Sequence, residues 1–116
     1  MTLDELFDDV LEIVSHLGAA ITHQLEPFLS AQVESIQGSR ADVLTAVAEL
    51  APTWFRSVEN PPEWIQEAEW PVEDGIPMVF LGQVPISRSA GLFHDDAAVF
   101  VFIGPNTGVT SLVQVA

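Results

Sequence analysis

The sequence predicts an α+β domain in which N-terminal helices pack on a small antiparallel β-sheet. Three observations predict it. Apolar residues recur at helical spacing as far as residue 51; residues 77–116 hold three runs rich in valine, isoleucine and phenylalanine; and a connection rich in proline, tryptophan and glutamate, residues 52–76, separates the two. A chain of 116 residues that is 48% hydrophobic is expected to form one domain and to bury roughly two-thirds of its unfolded surface.

The helical part divides into three. Thr2 and Glu5 stand at capping-box spacing, and Leu3, Leu6, Phe7, Val10, Val14, Leu17 and Ile21 form an apolar stripe. Asp4, Glu5, Asp8, Asp9 and Glu12 lie off that stripe. The like-charged pairs they make four residues apart each cost on the order of 0.2–0.5 kcal/mol. Acids in the first turn recover roughly 0.3–1 kcal/mol from the helix dipole, so the apolar stripe decides whether this helix forms. Gly18 weakens it, and Pro27 is expected to end or kink it. Leu29, Val33 and Ile36 mark a second helix with Gly38 as its stop. A third covers residues 41–51, with Ser39 and Asp42 at capping spacing and Pro52 ending it.

The connection carries Glu59, Glu63, Glu67, Glu69, Glu73 and Asp74 and all three tryptophans, Trp54, Trp64 and Trp70, against the single base Arg56. A short helical turn is expected over residues 63–68. The strands are expected at residues 78–84, 98–103 and 110–115. The second is apolar at every position, the pattern of a strand covered on both faces. Gly104-Pro105-Asn106-Thr107-Gly108 is a turn signal that makes strands two and three a hairpin.

Charge excludes several functions. Seventeen acids face three arginines and no lysine, a net charge of −14. Arg40, Arg56 and Arg88 cannot build a basic patch, so direct binding of nucleic acid or of an anionic membrane is not expected. The longest uncharged stretch, residues 97–116, is broken by Gly104, Pro105, Asn106 and Gly108 and cannot form one spanning helix. No cysteine is present, which removes disulfides, thiolate zinc sites and thiol catalysis. The acidic N-terminus is the opposite of a signal peptide's basic start, and the expected location is cytoplasmic.

Catalytic motifs are lacking. There is no Gly-x-Ser-x-Gly, and residues 104–108 lack the lysine and the following helix of a phosphate loop. His94-Asp95-Asp96 is a conceivable metal site, but neighbours on an extended segment point to opposite faces, so at most two of the three converge. His16 and His23 lie seven apart on nearly the same side of a helical stretch and could join Glu12 or Glu26 as metal ligands, but the commoner reading is of partly exposed helix residues, with Glu12 and His16 an ordinary pair four apart. No metal and no cofactor are expected.

Pro62-Glu63-Trp64-Ile65-Gln66, Glu69-Trp70-Pro71 and residues 75–84 (Gly-Ile-Pro-Met-Val-Phe-Leu-Gly-Gln-Val), with Asp95-Asp96-Ala97-Ala98-Val99-Phe100-Val101-Phe102 further on, resemble the YwqG-like family of bacterial proteins. The eukaryotic programmed cell death protein 2 group has a similar Trp-Leu-Gln and Pro-Met segment. The resemblance covers about residues 54–104 and rests on the spacing of Trp64, Gln66, Pro77, Met78 and Gln83. It implies a β-rich unit that the family usually carries in duplicate, and it assigns no activity. The cysteines of some members are missing here.

Two surfaces are left without partners. Three short strands present a second apolar face that tightly connected helices cannot cover, so a homodimer through the sheet is expected. The charge is also uneven: residues 1–74 hold 15 acids with Arg40 and Arg56, a net −13, and residues 75–116 hold Asp95, Asp96 and Arg88, a net −1. A salt-adapted chain spreads its acids evenly, so this skew favours a directed acidic face. The expected function is a non-catalytic domain that docks a basic protein, as immunity and inhibitor proteins do, through Trp64, Trp70, Glu63, Glu67, Glu69, Glu73 and Asp74. The opposing reading of the tryptophans is that they cap the edge of the core. Alternatives for the whole are an acidic nucleic-acid mimic, a small metal-dependent enzyme using His94, Asp95 and Asp96, and a salt-adapted structural domain.

Overall fold

A computed structural model describes all of residues 1–116. Three helices occupy the N-terminal half: α1 (Phe7–Ser15), α2 (Glu26–Ser35) and α3 (Arg40–Trp54). A tight turn over Asp4–Leu6 leads into α1, and Leu3, Leu6, Val10 and Val14 of the expected stripe are buried. The helix stops earlier than the stripe suggests. Gly18 takes a left-handed φ of +85°, its N–H donates to the Ser15 carbonyl at 3.1 Å, and the Ala19 N–H donates to the Val14 carbonyl at 3.1 Å. This pair of bonds is a Schellman stop, which only a residue free to adopt positive φ completes without strain. A β-carbon at Gly18 would also meet Pro62 Cδ at 2.9 Å.

Both prolines act differently from the sequence expectation. Pro27 ends nothing; it sits in the first turn of α2, where a missing N–H leaves no bond unmade. Pro52 lies inside α3, which runs on to Trp54, with the Phe55 N–H donating to the Ala51 carbonyl at 2.9 Å. So close to the helix end, proline forfeits one bond and leaves the last turn intact.

The start of α3 is a reciprocal cap. The Asp42 N–H donates to Ser39 Oγ at 3.2 Å, and Asp42 Oδ2 accepts from the Ser39 N–H and hydroxyl, both at 3.0 Å. The bond from the Ser39 backbone, then that from its hydroxyl, holds the Asp42 carboxyl below its ordinary 3.8. A carboxyl lowered on folding contributes stability that is present above its ordinary value and is lost as pH falls through the lowered one. Asp42→Asn is therefore expected to flatten the acid limb of the stability–pH curve below about pH 4 while leaving its shape at pH 7–8 unchanged, measured by urea unfolding at a series of pH values. Arg40 and Asp9 form an ion pair that ties α3 to α1, with both side chains about half exposed.

The strands follow. β1 (Val72–Glu73) and β2 (Ile76–Pro77) make a small hairpin. β3 (Val79–Ile86), β4 (Ala97–Ile103) and β5 (Val109–Val115) make an antiparallel sheet in the order β3-β4-β5. The fold is thus α+β, and the expected β4–β5 hairpin over residues 104–108 is present. A bulge between Phe80 and Gly82 interrupts β3, and a parallel bridge from Ser57 to Phe80 adds a short rung at that edge.

Register sorts the side chains. Phe80, Phe102 and Thr110 share one row, Gln83, Phe100 and Leu112 the next, and Pro85, Ala98 and Gln114 the third. These rows form the inner face. The helices reach it through the tryptophan segment. The Trp64 indole lies at 4.6 Å on Phe100 and 6.1 Å on Phe102 and donates to the Gly18 carbonyl at 2.6 Å. Trp70 packs edge-on to Phe102 at 5.4 Å and to Phe55 at the end of α3 at 5.3 Å. One core of leucines, valines and aromatics runs through all of these. The alternate rows, including Val84-Val99-Val113 and Ile103-Val109, form an outer face on which Val84, Val109 and Val113 are exposed, while Ala97 at one end is buried and Val79 at the other borders a groove with Phe28 and Trp54.

Candidate acidic docking surface

The segment from Glu63 to Glu69 contains no helical turn. Three glutamines hold it across the inner face of the sheet. At the β3 edge, Gln83 Oε1 accepts from the Glu63 N–H at 2.7 Å, and Gln83 Nε2 donates to the Glu63 carbonyl at 3.4 Å. At the β5 edge, Gln114 Oε1 accepts from the Ile65 and Gln66 N–H groups, both at 2.9 Å. Gln114 Nε2 donates to the Glu67 carbonyl at 2.8 Å and to Glu69 Oε2 at 3.3 Å. Gln66 Nε2 donates to the Val115 carbonyl at 2.8 Å. Gln114 is 1% exposed, and its amide uses both acceptor sites and both donors, the full inventory of the group. The backbone here bonds to side chains instead of to itself, and that is why the expected turn over residues 63–68 does not form.

This path divides the seven candidate residues. Trp70 is 1% exposed and its indole N–H donates to the Met78 carbonyl at 2.8 Å; it is a core residue and is not available to a partner. Trp64 is half-buried between Gly18 and Phe100. Both indoles therefore do what tryptophan does at a core edge, burying the rings and matching the N–H to a backbone carbonyl. Trp54 is half-buried and meets Phe28 edge-on at 5.8 Å.

Glu73 and Asp74 serve the hairpins. Asp74 (φ 52°) and Gly75 (φ 76°) form the β1–β2 turn with both residues left-handed, the geometry that Asp-Gly favours. This turn leans on the β4–β5 loop: Glu73 Oε1 accepts from the Asn106 N–H at 2.7 Å, and Asp74 Oδ2 accepts from the Asn106 side-chain amide. The Glu73 carboxylate occupies the space beside Gly104 and Gly108, where a β-carbon on either glycine would overlap it. Each of these carboxylates thus spends one oxygen on tying the two hairpins together.

The remaining three stay at the surface on opposite sides of the sheet. Glu63 joins Glu59, Asn60 and Gln83 around an open cleft of about 400 Å³ along β3. Glu67 and Glu69 line a groove of about 570 Å³ along β5, with His23 and Gln24 on one wall, Thr110 and Leu112 on the other, and Trp70 and Val72 also among its lining residues. The Glu67 carboxylate makes no hydrogen bond or ion pair within the chain, and Glu69 spends one oxygen on Gln114. Sequence reasoning did not place His23, Thr110 or Leu112 at this groove, because the α1–α2 connection and β5 meet residues 67–72 only in the folded chain.

Asp96 Oδ1 accepts from the Arg88 N–H at 2.7 Å at the entry to β4, so the His94-Asp95-Asp96 segment is a turn that carries its own bond. No three histidine, aspartate or glutamate side chains converge to hold a metal ion. No helix is long and apolar enough to cross a membrane. No protein-family model matches the chain, and no curated protein or solved structure is similar to it.

Proposed function

We propose that the protein is a non-catalytic binding domain that docks a basic protein by seating an arginine or lysine side chain in the groove along β5. The observation that carries this is the composition of that groove: carboxylates of Glu67 and Glu69 beside apolar Leu112 and Val72. A long basic side chain matches such a site, its methylene stem lying on apolar surface and its head group on the acids. The wider field supports the reading, since a net charge of −14 steers a cationic partner in and repels acidic competitors. An immunity or inhibitor role is the biological form of this proposal, with the cytoplasm as its setting; the absence of cysteine fits a reducing compartment.

Kinship with YwqG-like proteins belongs to the same proposal. What supports it is that the spaced residues behind the resemblance act together in the fold. Trp64, Gln66 and Gln83 all fasten the crossing segment, and Met78 accepts the Trp70 indole bond.

An arginine-rich peptide titrated calorimetrically at about 50 mM salt tests the groove. The double variant Glu67→Gln/Glu69→Gln is expected to bind about tenfold more weakly, and Glu34→Gln/Glu49→Gln, with the same net charge but altered on the helices, less than twofold. Equal losses in the two double variants would mean that the peptide reads net charge alone, and the groove assignment would fall.

A further inference from the structure

We propose that the basic partner adds an extended segment as a further strand along the free edge of β5, an inference that rests on the reading of the acidic groove given above and adds a backbone contact to it. β5 is an edge strand of the three-stranded sheet. The direction of its backbone groups follows from the bonds at its two ends. The Gly104 N–H donates to the Gly108 carbonyl at 2.8 Å, and the Ala116 N–H donates to the Asp96 carbonyl at 2.9 Å. Bonded positions alternate along an antiparallel pair. Thr110, Leu112 and Gln114 therefore bond to β4, and Val109, Ser111, Val113 and Val115 aim their N–H and carbonyl groups away from the sheet. The Val115 carbonyl is met from that outer side by Gln66 Nε2 at 2.8 Å, as this phase requires. No bond within the chain reaches the outward groups of Val109, Ser111 and Val113.

The two edges of the sheet differ. β3 is bulged between Phe80 and Gly82 and carries Pro85. Residues 56–58 also bond to it from outside: the Phe80 N–H donates to the Arg56 carbonyl at 2.9 Å, and the Val58 N–H donates to the Phe80 carbonyl at 3.0 Å. Bulges, prolines and covering segments keep an edge from accepting another strand. β5 has none of these over Val109–Val113, and its seven residues pair in unbroken register without one charge. The groove beside it selects the occupant. Side chains of an added strand point alternately to the two faces of the sheet. Those opposite Thr110 and Leu112 turn to the inner side, next to the two β5 residues that line the groove of Glu67 and Glu69. The residues between them stand opposite Val109, Ser111 and Val113. The segment that fits has basic residues two apart with apolar residues between them, its main chain supplying affinity and its alternate side chains selectivity. A second copy of this chain is the wrong occupant, because joining two β5 edges brings Glu67 and Glu69 of both copies to one junction between chains of −14.

Calorimetric titration with an end-blocked nonapeptide of alternating arginine and valine, at about 150 mM salt, reads the outcome. Only every second N–H of an added strand faces β5. N-methylation at one residue type is therefore expected to weaken binding about tenfold or more, and at the other type less than twofold; sensitivity at valine marks an antiparallel strand and at arginine a parallel one. Ser111→Pro removes an outward N–H and no ladder bond, and is expected to weaken binding about tenfold, whereas Ser111→Ala keeps that N–H and costs less than twofold. The methylated peptides leave the protein untouched, so they decide even where proline at position 111 loosens the fold. Equal responses to the two methylated peptides, with binding that still falls in Glu67→Gln/Glu69→Gln, would overturn strand addition and leave the groove reading standing. Binding indifferent to Glu67→Gln/Glu69→Gln, or none at about 100 μM, would overturn both. A dimer of the parent protein that Ser111→Pro separates, seen by light scattering on a sizing column, would put a second copy on this edge and overturn the proposal as well.

Discussion

Gln114→Leu is expected to lower the stability of the folded chain by about 3–5 kcal/mol, a large share of what a domain of this size possesses. Leucine fills the space but answers none of the four bonds that the amide makes. It leaves the Ile65 and Gln66 N–H groups and the Glu67 carbonyl facing an apolar side chain, and each buried polar group without a partner costs roughly 1–3 kcal/mol. Gln114→Glu is expected to cost nearly as much for a different reason. One oxygen still accepts from Ile65 and Gln66, but the other opposes the Glu67 carbonyl and the Glu69 carboxylate, where the native group donates. Urea unfolding gives the loss, and amide hydrogen exchange locates it: residues 65 and 66 should lose protection first. A cost below about 1 kcal/mol for the leucine variant would mean that the crossing segment is held by its aromatic contacts and not by glutamine.

Trp70→Ala is expected to cost about 3–5 kcal/mol as well, through the cavity left among Phe55, Phe80 and Phe102 and the loss of the bond to Met78. Trp70→Phe should recover about half of that, since the ring returns but the Met78 carbonyl stays without its donor. Thermal or urea unfolding of the two variants side by side separates packing from hydrogen bonding. The same pair bears on function: with Trp70 sealed in the core, Trp70→Phe should leave affinity for a cationic peptide within twofold of the parent, and a tenfold loss would show that the ring meets the partner after all.

Legibility in the sequence varies with the kind of interaction. Helix positions follow from the 3.6-residue stripe, and the Ser39–Asp42 cap from its spacing, because both are local. The β4–β5 hairpin is readable for the same reason. The ends are misleading where a residue has two uses: Pro27 begins a helix as readily as it breaks one, and Gly18 stops a helix where the apolar stripe alone suggests continuation. The Asp74-Gly75 hairpin is open to reading, since Asp-Gly between Val72-Glu73 and Ile76-Pro77 is a turn signature; the density of glutamates around it points to charge instead. The acidic run looks like one surface in sequence, yet the crossing segment deals it out to the β3 edge, the β5 edge and the β4–β5 loop. Nothing in spacing announces that Gln83 and Gln114 will serve backbone 20 to 49 residues away, because a side-chain amide matches irregular backbone with no periodic trace. The outer face is the opposite case. The unbroken run from Val99 to Ile103 announces two apolar sides, and the structure shows one of them open in a single chain.

The lodging of Glu73 beside the β4–β5 loop restricts how this protein can diverge. Gly104 and Gly108 do not have left-handed backbones; what each lacks is room, because the glutamate already fills the volume a methyl group needs. An alanine at either glycine therefore has to push the Glu73 carboxylate aside, and both that shift and a shorter residue at position 73 strip the Asn106 N–H of its acceptor. The three positions are thus coupled through one side chain, and a change at any of them loosens the tie between two hairpins some thirty residues apart.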